Sequence, residues 1–507
     1  MSERPAFIEQ HGLWSDDQKR LADDIRRRLE ADKLRYVRLA WSDSHGYSRA
    51  KALTVPAFVS ALNAGYHIGV ATTTLDSAGT RVFASFTPGG GMGLDEMTGS
   101  PNLTLVPDPK TFRTLPWAPG VAWILCDEYF NDGRPFHFST RQLLRKALQK
   151  LSGRGCASIV GAEIEWYLLR VADDHLSDDN IGAPGSRGRP IRTWPAEPGY
   201  HYHSESNMDL MQPVFDALGD AFETLGLGLR SIENEWGPGQ VECTFSPRAA
   251  LDAADNVLLF RTATRQLCRR LGYFATFMCR PALKGFYPSG WHLHQSLTDA
   301  NGANLFMPQK SGEILSPLGQ SYLAGLLQYA VPSTVFATPT VNGYRRFRPN
   351  SLAPDRATWA YDHRGAMIRV LGGPGDGATR LENRAGEPAA NPYLFILSQV
   401  VTGRAGIEAE LRPPAPDDAP YAAERPTLPK SLAEALDALD KEPLFRRELG
   451  DTFIDYFIKL KRTEAGRYLS SLEESQPHPP PHAGQGGVGT ASDEPSAWEQ
   501  NEYFDFF

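Results

Sequence analysis

The sequence predicts an α+β protein of two domains, and three observations carry that expectation. The chain has 507 residues, more than one hydrophobic core usually organises, and 41 % of them are hydrophobic, enough to bury a large interior. A helix-period stripe lies near its start, with Leu21, Ile25 and Leu29 on one face between Asp and Arg residues over 17–34. Further along, several segments alternate polar and apolar residues, the period of half-buried strands.

In chain order, Tyr36 to Trp41 reads as a strand, Ser42 to Gly46 as a turn and Arg49 to Leu53 as the returning strand, which makes a hairpin in a small β-rich domain. The Gly89–Gly91 run lacks the strand-to-helix context of a dinucleotide fingerprint and is expected to be a flexible loop. Prolines 107, 109, 116 and 119 punctuate the next stretch. Ser139 with Gln142 then forms a capping-box pattern ahead of Leu143, Leu144, Ala147 and Leu148. The boundary is expected near residue 137, so that 1–137 is the small domain and 138–475 the large one. Residues 171–200, rich in Asp, Gly, Pro and Arg without a period, read as an inserted loop. Residues 476–497 read as a Pro/Gly linker, whose His478 and His482 lack acidic or thiol co-ligands and are expected to be solvated. The end of the chain, 498–507, carries five large rings and is expected to dock on a groove of the same or a neighbouring subunit.

Composition narrows the function. A net charge of -8 and a pI near 5.9 offer no basic field for nucleic acid. No apolar run is long enough to cross a bilayer and 1–14 lacks the order of a signal peptide, so no membrane partner and a cytoplasmic location are expected. Cys126, Cys156, Cys243, Cys268 and Cys279 are scattered and read as inert buried thiols. Neither a GxxxxGK[ST] phosphate loop nor a GxSxG elbow is present.

Four segments aim polar side chains at one face. Glu163 and Glu165 alternate in SIVGAEIEWYLL, while Glu235 precedes a Gly-Pro-Gly turn with Gln240 and Glu242 beyond it. His292, His294 and Ser296 align in SGWHLHQSL, and Arg380, Glu382 and Arg384 in RLENR. Any one of these also reads as the solvated face of an edge strand. Four in succession favour a site, because paired carboxylates in apolar strands repel unless a cation neutralises them. Carboxylates with imidazoles and no thiolate suit Mg²⁺ or Mn²⁺. The arginines between these segments, Arg345, Arg346, Arg348, Arg356, Arg364 and Arg369, suit phosphates and so suggest a nucleotide.

These segments resemble the glutamine synthetase family, over about residues 36–397. GAEIEWYLL resembles its paired-glutamate strand, and EWGPGQVE, PSGWHLH and RLENRAGEPAANPY resemble three further motifs in the family's order. The resemblance implies a small β-grasp-like domain followed by a catalytic domain with a curved antiparallel sheet flanked by helices. It also implies homo-oligomeric stacked rings of about ten to twelve subunits with sites between neighbours. Two to three Mg²⁺ or Mn²⁺ ions and ATP are implied as cofactors. One metal would be held by Glu165, Glu235 and Glu242 and another by Glu163, His292 and Glu382. By the same match, His294, Ser296, Arg369 and Arg380 take the nucleotide and Arg364 the transferred phosphate. Arg346 and Arg384, with Gly290, take glutamate, whose γ-carboxylate is activated as an acyl phosphate for attack by an amine.

Three departures bear on the amine. The family's flap glutamate, which closes over ammonium, is replaced by Leu352. Tyr287-Pro288 and Trp291 replace residues beside the acyl pocket, which is expected to be reshaped. The segment supplying the amine-side acid is matched only by LDSAG, with Asp76 as the candidate. Leucine in place of glutamate disfavours a small cation, and an arylamine, neutral at about pH 7, needs no strong base. An apolar aryl or alkyl amine is therefore expected. Two alternatives stay open: an ammonia-using glutamine synthetase with Asp355 doing the flap's work, and a nucleotide-binding scaffold without activity.

Overall fold

Ser15 starts the first long helix, α1 (Asp16–Ala31), through a capping box in which its hydroxyl accepts from Gln18 N while the Gln18 side chain accepts from Ser15 N. Such a cap contributes about 1 kcal/mol. The helix ends where Lys33 turns to φ 49°, and it buries Ala22, Ile25 and Leu29. The computed structural model describes residues 5–474 and 494–507.

Five strands follow: β1 (Tyr36–Ser42), β2 (Ser48–Thr54), β3 (Tyr66–Gly69), β4 (Asn102–Pro107) and β5 (Val121–Tyr129). The expected hairpin forms, with Trp41 opposite Arg49. The sheet order is β2-β1-β5-β4-β3, with β1 and β5 parallel, and the short strand Arg113–Thr114 also pairs with β5. Gly89–Gly91, read as a loop, coils instead into a 3-10 turn; a Cβ on Gly90 would meet Met97 O at 2.5 Å, so the turn is packed and not loose.

The next helix, α2 (Thr140–Ser152), begins at Ser139, but the expected capping box does not form. The hydroxyl of Ser139 goes to the buried Glu128 carboxyl and the Gln142 amide to Glu128 O, partners that outcompete the helix end. Arg141 ties this helix to its surroundings, donating to Asp108 at 2.8 Å, Asp127 at 2.9 Å and Asp255 at 2.7 Å. Breaking such a buried hub costs about 3–5 kcal/mol.

The large sheet is built on β6 (Ala157–Asp173), with β7 (Leu229–Asn234), β8 (Gln240–Phe245), β9 (Trp291–Thr298), β10 (Trp359–Tyr361), β11 (Ile368–Leu371) and β12 (Arg380–Gly386). Its order is β10-β11-β12-β9-β6-β8-β7, antiparallel throughout except at the parallel β10–β11 edge. Within 171–200, expected as loop, β6 runs on to Asp173 and Arg192–Pro195 returns along it as an extra strand. Backbone pairing there overrides a sequence with no strand period.

Behind the sheet lie α3 (Ala250–Arg270) and α4 (Pro392–Glu408), the latter buried on nearly every side. Apolar residues of both sheets, Leu39 and Ile124 with Trp166 and Leu293, belong to one continuous cluster. All five cysteines are buried and free, as expected. After α5 (Asp451–Glu474) most of the Pro/Gly segment, including His478 and His482, lies outside the described residues. The tail resumes as α6 (Ala497–Tyr503) and docks on this same chain, Phe504 stacking on Phe274 and Phe506 on Tyr47. Among the described residues no helix is long and apolar enough to cross a membrane.

Candidate active site

Strand alternation on β6 points Glu163 and Glu165 to one face, and register brings partners from four more strands. Glu163 stands opposite His292 of β9 and Thr244 of β8, and Glu165 opposite Glu242 of β8. On the far side of β9, His294 faces Glu382 of β12, which in turn faces Arg369 of β11. Strands lie about 4.8 Å apart, so these side chains meet across the sheet without any loop carrying them.

The contacts are close. His292 Nδ1 lies 2.6 Å from Glu163 Oε1, and His294 Nε2 lies 3.2 Å from Oε2. Arg380 Nε donates to His294 Nδ1 at 3.1 Å, which leaves the imidazole proton on Nε2, facing Glu163. Glu382 accepts from Arg384 and, at 3.1 Å, from Arg369. Glu165 accepts from Gln240 at 3.1 Å and from Gly290 N at 2.9 Å. A Cβ on Gly290 would meet Arg346 Nη2 at 2.5 Å and displace that guanidinium.

Acids outnumber their local partners. Burial, then Glu163, Glu165 and Glu235, pushes Glu242 up to about 11, and burial with Glu165 raises Glu235 to about 8. For Glu163 burial acts in the same direction, but His292 and His294 override it and hold the carboxyl below its usual range. Arg384 and the two imidazoles do the same for Glu382. A crowd of hard oxygen donors with imidazole nitrogen and no thiolate fits Mg²⁺ or Mn²⁺.

Ligand atoms of Glu163, Glu242 and His292 lie within 4.8 Å of one another, as do those of Glu163, His294 and Glu382, and of His203, Glu233 and Glu235. These close groups take in five of the six expected ligands and add His294, His203 and Glu233. Glu163 sits between two histidines and joins both inner groups, Glu165 is engaged by Gln240 and Gly290, and Glu235 gathers with His203 and Glu233. Sequence reasoning missed these last two. Glu233 carried a signal, lying one alternation before Glu235, whereas His203 sits in an irregular segment with φ 56° and carried none.

Beside Glu163 opens a cleft of about 710 Å³, lined by Arg230, Ser231, Thr244, His294, Ser296 and Arg380. That is the size of a small-molecule site. Arg346 and Arg384 are buried next to the acids; Arg346 donates to Gly386 O at 2.8 Å and Arg384 reaches Leu352 O at 3.4 Å. Arg364 is exposed, within electrostatic reach of Tyr202, which also feels Glu235 and Glu242. Leu352 is 61 % exposed with φ 59°.

Two expected residues are placed elsewhere. Trp291 is wholly buried, its ring edge-on to Phe395 at 5.1 Å, because alternation turns it to the opposite side of β9 from His292. Asp76 is likewise buried, and within this chain it is not brought to the acidic face. Its oxygens accept from Ala78 N, Thr80 N and Arg467, in a separate cleft with Arg187 and Asp505.

Comparison with known proteins agrees with this arrangement. The family profile "Glutamine synthetase, catalytic domain" matches residues 137–478. The chain is 43 % identical over 510 residues to a gamma-glutamylanilide synthase of Acinetobacter sp, covering 99 % of both. It is 31 % identical to a glutamate–isopropylamine ligase of Pseudomonas sp, covering 72 % of this chain and 78 % of that one. A solved structure described as "Apo GmaS without ligand" superposes with a TM-score of 0.72 at 27 % identity, covering 87 % of this chain and 95 % of the other.

Proposed function

Because this chain belongs to the glutamine synthetase family, we propose that it is an ATP-dependent ligase joining the γ-carboxylate of glutamate to an apolar amine. The observation that carries the reading is the acid- and imidazole-bearing face of β6, β8, β9 and β12, opening on a nucleotide-sized cleft.

Divalent ions held by this face would neutralise the phosphates of ATP and the charge that develops in transfer. His294, Ser296 and Arg380 line the cleft where the nucleotide would lie, with Arg369 beside them on Glu382. Arg346 and Arg384 are placed to hold the amino-acid substrate against the same face, and the exposed Arg364 to meet the transferred phosphoryl group. Transfer to the γ-carboxylate makes an acyl phosphate; the amine nitrogen then bonds to the acyl carbon, the C–O bond to phosphate breaks, and a proton leaves the nitrogen. Asp76, bound by Arg467 and two backbone amides, does not meet this face within one chain and would reach the amine only from a neighbouring subunit of the ring.

An apolar and preferably aromatic amine is supported by what surrounds Glu235. Tyr200 and Trp236 meet edge to face at 6.1 Å, and Tyr202 stacks on His203 at 3.9 Å, all partly open to solvent. Leu352 adds no charge, and Asp355, the alternative acid, is bound by Arg356 at 2.8 and 3.0 Å. Rings beside these acids, with Leu352 where the family's flap carries a glutamate, suit a neutral arylamine better than ammonium. The resemblance further leads us to propose a cytoplasmic homo-oligomer of stacked rings.

Phosphate release with ATP, Mg²⁺ and glutamate, across ammonium, methylamine, isopropylamine, ethanolamine, putrescine and aniline, tests the reading. Aniline or isopropylamine should give its γ-glutamyl amide with ammonium a poor substrate. A preference for ammonium would make this a glutamine synthetase, and no turnover with any amine would favour a scaffold.

A further inference from the structure

The C-terminal tail reaches the candidate site from behind. Glu499 of α6 is fully buried; its Oε1 accepts from Arg345 Nε at 3.1 Å and Asn342 Nδ2 at 3.0 Å, and its Oε2 from Arg345 Nη2 at 2.9 Å. Both donors belong to one 3-10 turn, Asn342–Arg346. Tyr503, also from the tail, accepts from Val341 N at 3.2 Å and donates to Glu464 at 2.6 Å, so the entry to that turn is held as well. Asn342 braces the turn to Arg280 through N–H to Oδ1 at 2.7 Å and Nδ2 to O at 3.0 Å.

Arg346, the next residue after Arg345, leaves the turn in the other direction. Its guanidinium donates to Gly386 O and lies over Gly290, at the position where a Cβ would also come within 3.2 Å of His292 Nε2. One turn therefore carries a tail carboxylate on one side and an arginine over the acidic face on the other. Consecutive residues of so tight a turn cannot shift independently.

We propose that Glu499 is a positioning residue for Arg346, so that the tail sets the guanidinium where it holds the amino-acid substrate; this rests on the reading in which Arg346 binds that substrate. The charge-assisted pair with Arg345 fixes the turn's orientation as well as its place. The nucleotide cleft is lined by β6, β7, β8, β9 and β12, not by this turn, so the effect should fall on glutamate and spare ATP.

The test uses the full chain with ATP, Mg²⁺ and hydroxylamine, an acceptor neutral at about pH 7, so that it does not depend on which amine is native. Glu499→Gln is expected to raise the KM for glutamate about tenfold, with kcat and the KM for ATP changed by less than about twofold. Glu499→Asp, which keeps the charge, should recover part of that loss. An unchanged KM for glutamate, or equal rises in both KM values with a fall in Tm, overturns the proposal. If Glu499→Gln does not fold, Glu499→Asp alone carries the test, with about a threefold selective rise expected and an unselective one decisive against it. Arg346→Lys is run alongside: if it leaves the KM for glutamate unmoved, the substrate reading itself fails, and this proposal with it.

Discussion

Two groups of carboxylates are opposite in character: one beneath the tail, at most 3 % exposed, and one on the β6 face, where Glu163 keeps 24 % and Glu165 14 % of its side-chain surface. Under the tail four acids each lie against a cation: Glu499 with Arg345 at 2.9 Å, Glu502 with Arg467 at 2.7 Å, Asp76 with Arg467 at 3.0 Å and Glu464 with Lys461 at 2.5 Å. Burial alone would raise Glu464, yet Lys461 and His45 hold it below its ordinary value. On the sheet face Glu163, Glu165, Glu235 and Glu242 share too few cations, and two of them rise far above it. A saturated set of ion pairs holds structure, whereas an acid-rich face is built for a cation that arrives with the ligand.

If that distinction holds, changing one residue in each group should have different consequences. Glu242→Gln should lower ATP- and glutamate-dependent phosphate release by about a thousandfold, with no loss of Tm in metal-free buffer, since a carboxyl crowded by Glu163, Glu165 and Glu235 is gone. A variant keeping a tenth of the activity would break the comparison on the catalytic side. Lys461→Met leaves Glu464 buried without its closest cation and should cost about 3–5 kcal/mol, read as a lower urea midpoint at unchanged slope. A cost below about 1 kcal/mol would mean that the junction is not held by its pairing.

Binding should sharpen the contrast. Mg²⁺ at about 100 times its Kd should stabilise the natural chain by about 2.7 kcal/mol against the same ionic strength of NaCl, and Glu163→Ala much less. Equal stabilisation of both would place the ion elsewhere.

Glu128 of β5 tests the rule from a third position, buried with no cation of its own. Burial, then Asp127 and Asp43, raises it to about 8, with Ser139 acting against the rise. The folded chain therefore keeps a proton that the unfolded chain releases above about 4.5, the ordinary value. Its contribution is whole below that pH and is lost as pH climbs towards 8, because the folded state binds more protons across the interval. Glu128→Gln should abolish the decline, gaining about 4 kcal/mol at pH 8 and less than about 1 kcal/mol at pH 5 in paired denaturant titrations.

Much of the acidic face was legible because alternation is written residue by residue. Glu163 with Glu165, His292 with His294, and Arg380 with Glu382 could each be put on one side of a strand from spacing alone. The same rule, applied to Trp291, already turns it away from His292, yet the family motif drew it into the pocket. Other features left no such trace. Ser139 and Gln142 have the pattern of a cap, but Glu128 on the preceding strand, 14 residues before Gln142, takes both side chains. His203 joins Glu233 and Glu235 only because Tyr200 N and His203 N bond to Trp236 O and Asn234 O across a gap in the chain. Asp76 is claimed by Arg467, a residue no local pattern connects to it.

By itself, then, the sequence determined the α+β class, the hairpin, the residues of the acidic face and the family, since each follows from local period or from an ordered string of motifs. Which acids share a ligand group, which way the arginines reach and where the tail docks were decided only by the tertiary structure. The reason is physical: the side of a strand that a residue occupies is set by its own backbone, but the partner it meets there is set by register between segments well apart in the chain, as His294 is from Glu163 by 131 residues.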